Sequence, residues 1–306
     1  MKQVLLIAGG GTLGTYTAEE LLRLGHCVDV ICLEDKASDN EKLTYYTASA
    51  TPDYLEKLFE CKHYDGIVNF LHYRDYKSYI PYHELLSKNT DHLIFLSSYR
   101  VYADMQHPIT ETAPQLIDVI TDDPLFHEKD TYGLSKSKAE RFLADNPYPK
   151  NWTIVRPVIS FSMKRFDIIM TSKTEVVEAA MKGTPIQLPI EARGLTAGLD
   201  WAGNSGKLIA NLLFKKECIG EAYTISSAQI LTWGEIADIY TEVLGVRFEW
   251  VPANYPHDLW RWRYDRAYDR AIDNTKVLKA TGLRSEDFKS IREGLKIELD
   301  RLKNKE

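Results

Sequence analysis

The sequence predicts an α/β fold: a doubly wound parallel sheet with a smaller C-terminal lobe. Apolar runs typical of strands buried on both faces alternate with amphipathic helical segments through the first half of the chain. The first of these runs ends in consecutive glycines, after which a helical pattern begins. Alternation of this kind predicts parallel strands joined by right-handed crossovers. The pattern loosens after Pro157, where we place the boundary between residues 1–157 and residues 158–306.

The individual elements follow from composition and from helix stop signals. In the first half, the predicted strands are residues 4–8, 28–33, 66–71, 92–96 and 152–155, and the predicted helices are residues 15–24, 53–61, 81–88 and 132–144. Beyond residue 157 we expect helices at 175–182, 203–214, 232–244, 274–280 and 290–302, the third of them capped by Thr232. One strand returns to the sheet near residues 220–227, so the C-terminal lobe is discontinuous.

Composition narrows the class of protein. The chain has 306 residues, 44% of them hydrophobic and 27% charged, as in an ordinary globular protein. A net charge of −6 argues against a general nucleic-acid binder. The 4 cysteines have no ligand-like spacing, so we expect no metal site. No run approaches the ~20 apolar residues of a membrane span. These observations predict a cytoplasmic protein without a membrane segment.

The glycine turn comprises Gly9, Gly10, Gly11, Thr12, Leu13 and Gly14. Glycines in a turn between a strand and a helix let the backbone approach a pyrophosphate, and the helix offers free N–H groups to it. The turn therefore predicts a bound dinucleotide. Glu34 and Asp35 follow the second strand, where an acid would hold the ribose hydroxyls and repel a 2′-phosphate. NAD is thus favoured; NADP stays open because Lys36 is adjacent.

Tyr132 and Lys136 form a YxxxK pair that predicts a tyrosine acid/base. Positions i and i+4 of a helix share one face. An ammonium ~4 Å from the phenol, at an effective dielectric of ~20, contributes ~4 kcal/mol and would lower the phenol's pKa by up to ~3, to near 7. Tyr73 and Lys77 match the same pattern, but no serine-bearing strand end precedes them. We therefore choose Tyr132, which follows the serines at the carboxyl end of the fourth predicted strand.

These motifs together resemble the extended short-chain dehydrogenase/reductase superfamily, which includes the NAD-dependent epimerases and dehydratases. The resemblance covers nearly the whole chain and rests on residues 8–14, 96–102, 132–136, 155–157, 232–235 and 273–276. It implies a Rossmann-type dinucleotide-binding domain in residues 1–157 and a substrate-binding lobe in residues 158–306. It further implies that Ser98 is the catalytic hydroxyl, Tyr132 the acid/base, and Lys136 the residue that holds the nicotinamide ribose.

Further contacts are expected around these residues. Leu71, Ser97 and Pro157 are predicted to touch the cofactor. Tyr99, Arg165, Arg261 and Arg263 are predicted substrate contacts, the last two within a segment, residues 260–266, where aromatic and basic side chains alternate. One hypothesis is that this segment clamps a diphosphate and stacks a base. The other is that it forms an amphipathic helix or loop on the surface, with extended arginine side chains, and both hypotheses stay open.

Several positions depart from the family pattern. Ala8 replaces the first glycine, Cys32 stands where the ribose-binding acid usually lies, and Ala48, Ser49 and Ala50 stand where the family often carries an Asp after its third strand. All three concern the cofactor half. Tyr99 and Arg100 occupy the place of the acidic pair that sugar-nucleotide dehydratases carry, which disfavours 4,6-dehydration.

The favoured function is an NAD(P)-dependent oxidoreductase or epimerase acting on a nucleotide sugar or similar hydroxylated substrate. One alternative is a reductase of a small carbonyl metabolite. Another is a non-catalytic protein that senses a dinucleotide or contacts RNA. Relatives commonly dimerise through the helix that bears the tyrosine, so a homodimer through residues 132–144 and 81–88 is a further expectation.

Overall fold

The computed structural model describes residues 1–146, 150–255, 259 and 261–304, and builds them from eleven strands and eleven α-helices. The strands are β1 (Gln3–Ile7), β2 (Cys27–Cys32), β3 (Leu43–Thr47), β4 (Tyr64–Asn69), β5 (Thr90–Leu96), β6 (Trp152–Pro157), β7 (Ile159–Phe161), β8 (Ile186–Pro189), β9 (Leu199–Trp201), β10 (Ala222–Ile225) and β11 (Phe248–Val251). The helices are α1 (Thr12–Arg23), α2 (Pro52–Cys61), α3 (Ile80–Lys88), α4 (Leu116–Val119), α5 (Pro124–Lys129), α6 (Thr131–Asp145), α7 (Lys173–Lys182), α8 (Ala202–Leu212), α9 (Trp233–Leu244), α10 (Thr275–Thr281) and α11 (Ile291–Lys303).

Seven strands form one sheet in the order β3-β2-β1-β4-β5-β6-β10. Every pairing in it is parallel. The strand order reverses between β1 and β4, which makes their carboxyl ends the point where such sheets bind ligands. The predicted fold class, a Rossmann-type doubly wound sheet, is confirmed.

The inner strands of the sheet are buried on both faces, which explains their continuous apolar runs, whereas the edge strand β3 is partly exposed. Val4 and Leu6 of β1 pack on one side, against side chains of α1 and α8, whereas Leu5 and Ile7 pack on the other, against residues of α2, α3 and α6. Successive side chains of a strand point to opposite faces, so one run of apolar residues supplies both layers.

A separate hydrophobic core lies in the C-terminal part of the chain. It includes side chains of β7, β8, α7, α9 and α11, and two small parallel pairs, β7–β9 and β8–β11, lie in this region. The same part of the chain returns α8, β10 and α10 to the large sheet. We keep the boundary at residue 157 as a proposal. The four short strands β7, β8, β9 and β11 were not predicted, because three or four residues are too few to show a periodic pattern of apolar side chains.

Local signals set several helix ends in the C-terminal part. Thr232 caps α9 as predicted, and its side chain accepts from the Glu235 backbone N–H while the Glu235 carboxylate accepts from the Thr232 N–H. Gly245 ends the same helix with a φ of 72°. A glycine reaches this left-handed conformation without the clash that a Cβ would cause.

In the part of the chain that the structure describes, no helix is long and apolar enough to cross a membrane. Within the same ranges, no group of three or more His, Cys, Asp or Glu side chains could hold a metal ion.

Helices α3 and α6, the predicted dimer surface, contribute apolar side chains to the protein's own core. Leu86, Ala139 and Leu143 are buried, and Leu85 and Phe142 pack against the same cluster. These apolar side chains already pack inside one copy of the chain. A stable dimer usually buries ~1,200 Å² or more in total, and the two helices have few other apolar side chains to contribute. The homodimer stays a prediction.

The glycine turn contains one residue in an unfavourable backbone conformation. Ala8 has a φ of 55°, in the left-handed region where a Cβ crowds the backbone. It is the position at which the sequence departs from the family's first glycine. The fold therefore retains the glycine-type turn although the side chain is an alanine.

We expect Ala8→Gly to raise the free energy of unfolding by about 0.5–1 kcal/mol, because it relieves the left-handed strain at a smaller entropic cost. The control is Ala180→Gly within α7, where the same exchange should lower stability by about 1 kcal/mol. Urea denaturation of both variants measures the two changes. Destabilisation by Ala8→Gly would contradict this account of the turn.

Candidate active site

A cavity of about 630 Å³ opens at the carboxyl ends of β1, β4, β5 and β6. Its size is that of a small-molecule site. The glycine turn contributes to one wall, and residues after β5 and β6 form much of the rest. The residues that line it include Gly11, Thr12, Leu13, Gly14, Ser97, Ser98, Tyr99, Arg100, Tyr132, Pro157, Arg165, Asp167, Arg261, Asp265 and Arg266.

The glycine turn has the shape that a pyrophosphate requires. A Cβ at Gly14 would lie 2.3 Å from the Gly9 carbonyl oxygen, so only glycine allows α1 to pack this closely on the turn. A Cβ at Gly11, by contrast, would meet no atom within 4 Å. Gly11 also precedes α1 without a side-chain cap, which leaves the first N–H groups of the helix available to an anion. The residues present therefore fit the pyrophosphate of a dinucleotide.

A second cavity of about 260 Å³ adjoins the turn and is lined by Gly10, Cys32, Glu34, Ala48 and Leu71, among others. A Cβ at Gly10 would lie 2.6 Å from the Glu34 Oε2, so this carboxylate lies against the turn, where the sequence predicts the adenosine ribose. The chain thus places Glu34 at the position that Cys32 leaves without an acid.

Two lysines accompany Glu34. Lys36 and Lys164 both donate to the Gly10 carbonyl oxygen, at 3.0 and 2.6 Å. The pKa of Glu34 is lowered, first by a hydrogen bond from its own backbone N–H and then by the two ammonium groups. The proximity of Lys164 was not predicted, because it lies far along the chain, after β7.

The two serines follow β5 directly. The Ser98 side chain accepts from the Arg100 backbone N–H at 3.3 Å, in a short 3₁₀ turn. Ser97 is buried beside it and also lines the cavity. Strand β5 therefore ends at the cavity and places both serines in its lining.

Tyr132 lies in the first turn of α6, a helix capped by Asp130, which accepts from the Gly133 N–H at 3.2 Å. His72 stacks on its ring, with centroids 5.2 Å apart. Burial raises the pKa of Tyr132 above its ordinary value, although hydrogen bonding to Ser98 and the charges of Arg100 and Arg165 pull it down. The predicted lowering toward 7 is wrong for this structure, because desolvation of the phenolate outweighs the nearby cations.

Lys136 lies one helical turn further on and is buried. Its Nζ donates to the Leu96 carbonyl oxygen at 2.5 Å and is 5.9 Å from the centroid of the Tyr132 ring. Burial lowers the pKa of Lys136 to about 8. The helix therefore does place the pair on one face, but here the ammonium binds the end of β5 rather than the phenol.

The rejected tyrosine, Tyr73, is a core residue. Its hydroxyl accepts from the Asn69 side-chain amide at 2.8 Å, and its ring packs against Tyr79 and Tyr82. Burial raises its pKa well above the ordinary value. Its partner in the YxxxK pattern, Lys77, lies in a separate 3₁₀ turn and is not among the residues that line the large cavity.

The predicted substrate residues divide into two groups. Tyr99, Arg165 and Arg261 line the large cavity, and both arginines face Asp167, at 2.7 and 3.6 Å. Arg263 does not line it. This arginine lies in a π-helical turn, Trp262–Arg266, and pairs with Asp123 at 2.8 Å. Trp260, which begins the aromatic and basic segment, lies outside the described residues.

A buried ionic cluster next to the cavity was not predicted. Asp265 accepts from the Tyr99 hydroxyl at 2.6 Å and is paired with Arg266, while Arg100 lies 3.5 Å away. Arg266 also donates to the Tyr99 hydroxyl at 2.9 Å. The carboxylate has a lowered pKa: burial raises it, but the surrounding guanidinium groups more than offset that effect. The cluster joins the turn after β5 to the C-terminal part of the chain.

Comparison with solved structures finds the same fold. This chain is similar to an epimerase from Methanothermobacter thermautotrophicus at 16% identity and a TM-score of 0.74, covering 99% of this chain and 92% of that one. It is similar to the UDP-glucose 4-epimerase of Thermus thermophilus in complex with NAD, at 17% identity and a TM-score of 0.71, covering 98% and 99%.

A third structure is the UDP-glucose 4-epimerase of Stenotrophomonas maltophila with bound NAD and formylated UDP-arabinopyranose, at 14% identity and a TM-score of 0.74, covering all of both chains. No protein-family model and no curated protein matches the sequence. At these identities the comparisons establish the fold, which is that of NAD-binding nucleotide-sugar epimerases.

A second buried ion pair holds α6 against the sheet. Arg156 of β6 donates to both carboxylate oxygens of Glu140 on α6, at 2.9 and 2.6 Å, and to the Tyr102 hydroxyl at 2.9 Å. Both charged side chains are at most 6% exposed. Because Glu140 follows Lys136 by one helical turn, this pair fixes the helix that carries Tyr132.

We expect Arg156→Met to destabilise the fold by about 3–5 kcal/mol, because it leaves the Glu140 carboxylate buried without its partner. Arg292→Met provides the matched control: Arg292 also pairs with a glutamate, Glu242, but the two side chains are 40% and 55% exposed, so the loss should stay below about 1 kcal/mol. Urea unfolding monitored by circular dichroism compares the two. Equal losses would contradict a special role for the buried pair.

Proposed function

We propose that the protein is an NAD(P)-dependent oxidoreductase or epimerase that acts on a nucleotide sugar or similar hydroxylated substrate through Ser98, Tyr132 and Lys136. One observation carries the proposal. The serine that follows β5 and the first turn of α6 line the same cavity as the glycine turn at the start of α1, and the space at Gly11 is open. The fold shared with NAD-binding epimerases supports it.

Residues on both sides of the switch point would hold the dinucleotide. Gly9 to Gly14 would bind the pyrophosphate, and Glu34 and Leu71 lie in the adjoining cavity that suits the adenosine. Ser97 and Pro157 line the large cavity, where the nicotinamide would lie. When bound, the nicotinamide supplies a hydride acceptor and donor.

The acid/base role falls to Tyr132, whose phenolate accepts the proton of a substrate hydroxyl and whose phenol, formed by that transfer, returns a proton in the reverse step. Ser98 hydrogen-bonds to that phenol and would orient the substrate oxygen. Lys136, with a pKa of about 8, keeps an ammonium group beside the end of β5 at neutral pH, where it would hold a ribose hydroxyl.

The charge of the cavity supports an anionic substrate. Its lining includes the guanidinium groups of Arg100, Arg165, Arg261 and Arg266 against the carboxylates of Asp167 and Asp265. An excess of cations at a partly enclosed surface attracts phosphate groups. This favours a nucleotide sugar over a small neutral carbonyl metabolite. The alternative of a non-catalytic protein is disfavoured because the side chains of Ser98, Tyr132 and Lys136 are all present and lie in or near the cavity.

Tyr132→Phe should reduce turnover by at least about a hundredfold while leaving dinucleotide binding nearly unchanged, because it deletes the proton-transferring group alone. The matched control is Tyr73→Phe, which removes the hydroxyl of the other YxxxK tyrosine inside the core. We expect it to retain activity. Turnover is followed by product analysis with a panel of UDP-sugars, or by nicotinamide absorbance. If Tyr73 were essential and Tyr132 dispensable, the choice between the two motifs would be wrong.

NAD should bind more tightly than NADP, because the Glu34 carboxylate lies against Gly10 and repels a 2′-phosphate. Lys36 and Lys164 reduce this preference without reversing it. Glu34→Gln should shift the ratio of the two dissociation constants toward NADP by about tenfold, equivalent to ~1.4 kcal/mol. Asp35→Asn, a neighbouring acid that contacts Thr47 instead, should change the ratio little. Isothermal titration calorimetry decides; tighter NADP binding by the unmodified protein would refute the preference.

A further inference from the structure

Tyr132 has a closer cationic neighbour than Lys136. The Arg100 guanidinium carbon lies 5.4 Å from the centroid of its ring, against 5.9 Å for the Lys136 ammonium. We propose that Arg100, rather than Lys136, is the cation that sets the acidity of the Tyr132 phenol, and that it also fixes the start of the helix carrying that phenol. The inference rests on the proposed function in taking Tyr132 as the acid/base, and it makes Arg100 a positioning residue.

The two cations near Tyr132 differ in their hydrogen-bond partners and in the permanence of their charge. Lys136 donates to the Leu96 carbonyl oxygen at 2.5 Å, and burial lowers its pKa to about 8, so its charge is lost in mildly alkaline solution. Arg100 is also buried, and a guanidinium group carries a permanent charge in proteins. A permanent charge against the ring stabilises the phenolate over the phenol.

Arg100 is held by two carboxylates. Its Nη2 donates to Asp130 at 2.7 Å, and its Nε faces Asp265 at 3.5 Å. Asp130 is the cap of α6 and accepts the Gly133 N–H with the same oxygen, Oδ1. The guanidinium group therefore ties the turn after the catalytic serine to the first turn of the helix, two residues from Tyr132.

Several other titratable and charged side chains surround the phenol of Tyr132. His72, which stacks on the ring from the segment after β4, is kept neutral because burial lowers its pKa. Arg165, from the turn after β7, lowers the pKa of Tyr132, and Asp265, from the π-helical turn, raises it. In the buried cluster three guanidinium groups face two carboxylates, which leaves one net positive charge: Arg100, Arg266 and Arg270 against Asp130 and Asp265.

The test replaces Tyr132 alone by 3,5-difluorotyrosine, whose more acidic phenol titrates in a range that the fold withstands, and follows it by fluorine NMR. Arg100→Met should raise the pKa of this phenol by about one. Arg100→Lys should stay near the unmodified value, because it keeps the charge. Lys136→Met should raise the pKa less than Arg100→Met does. A larger shift from Lys136→Met would overturn the proposal.

Asp130→Asn gives a change of opposite sign and needs no loss of the arginine. It removes the carboxylate that balances Arg100 but keeps an oxygen that caps the helix, so the phenol pKa should fall. Arg100 in a purely structural role would leave the pKa unmoved, or move it in the same direction in both variants, and either result refutes the inference. Should Arg100→Met fail to fold, Asp130→Asn and Lys136→Met still decide.

The titration requires neither nucleotide nor turnover, so it separates this inference from the proposed function. Expected shifts in a protein that binds no dinucleotide would remove the proposed function and leave the Arg100 assignment intact. An active enzyme in which Arg100→Met and Asp130→Asn leave the phenol pKa unchanged would do the reverse.

Discussion

The anchoring of α6 is the constraint on which the rest of the site depends. Near its start Asp130 joins the helix to Arg100, and at its third turn Glu140 joins it to Arg156 of the central sheet. Each pair is almost fully buried, so each is stabilising only while both partners are present. Tyr132 and Lys136 lie between these two fixed points. Their position over the carboxyl end of β5 is therefore set by ion pairs that belong to neither cofactor nor substrate.

The same ion pairs connect the sheet to the C-terminal part of the chain. Arg100 follows β5, whereas Asp265 and Arg266 lie in a π-helical turn far along the sequence. Asp265 is hydrogen-bonded to Tyr99, whose neighbour Ser98 is the proposed catalytic hydroxyl. A change that displaces the π-helical turn should consequently also displace Ser98, although no side chain of that turn takes part in the proposed proton transfer.

Local sequence signals were sufficient for the main elements and for part of the site. Continuous apolar runs predicted β1, β2, β4, β5 and β6, since strands buried on both faces need such runs. The glycine turn could be predicted from the sequence because close backbone packing requires glycine there, as at Gly14. The shared face of Tyr132 and Lys136 followed from helical periodicity alone.

Other features depend on contacts that no local pattern encodes. The cluster around Asp265 joins residues more than a hundred positions apart, so the sequence indicated none of its ion pairs. Arg263 was predicted beside Arg261, but within the π-helical turn the two point to different partners, Asp123 and Asp167. The pKa of Tyr132 was predicted from one cation, whereas burial of the phenol is the larger effect.

The central claim is that the glycine turn and the Tyr132 helix together form a dinucleotide-dependent active site. Mass spectrometry of the small molecules released when freshly purified protein is denatured tests it most directly, because it does not require the substrate to be known. The account predicts release of NAD or NADP, or uptake of one of them in equilibrium dialysis when the protein is purified empty. Absence of any released dinucleotide, together with no uptake of either, would contradict it.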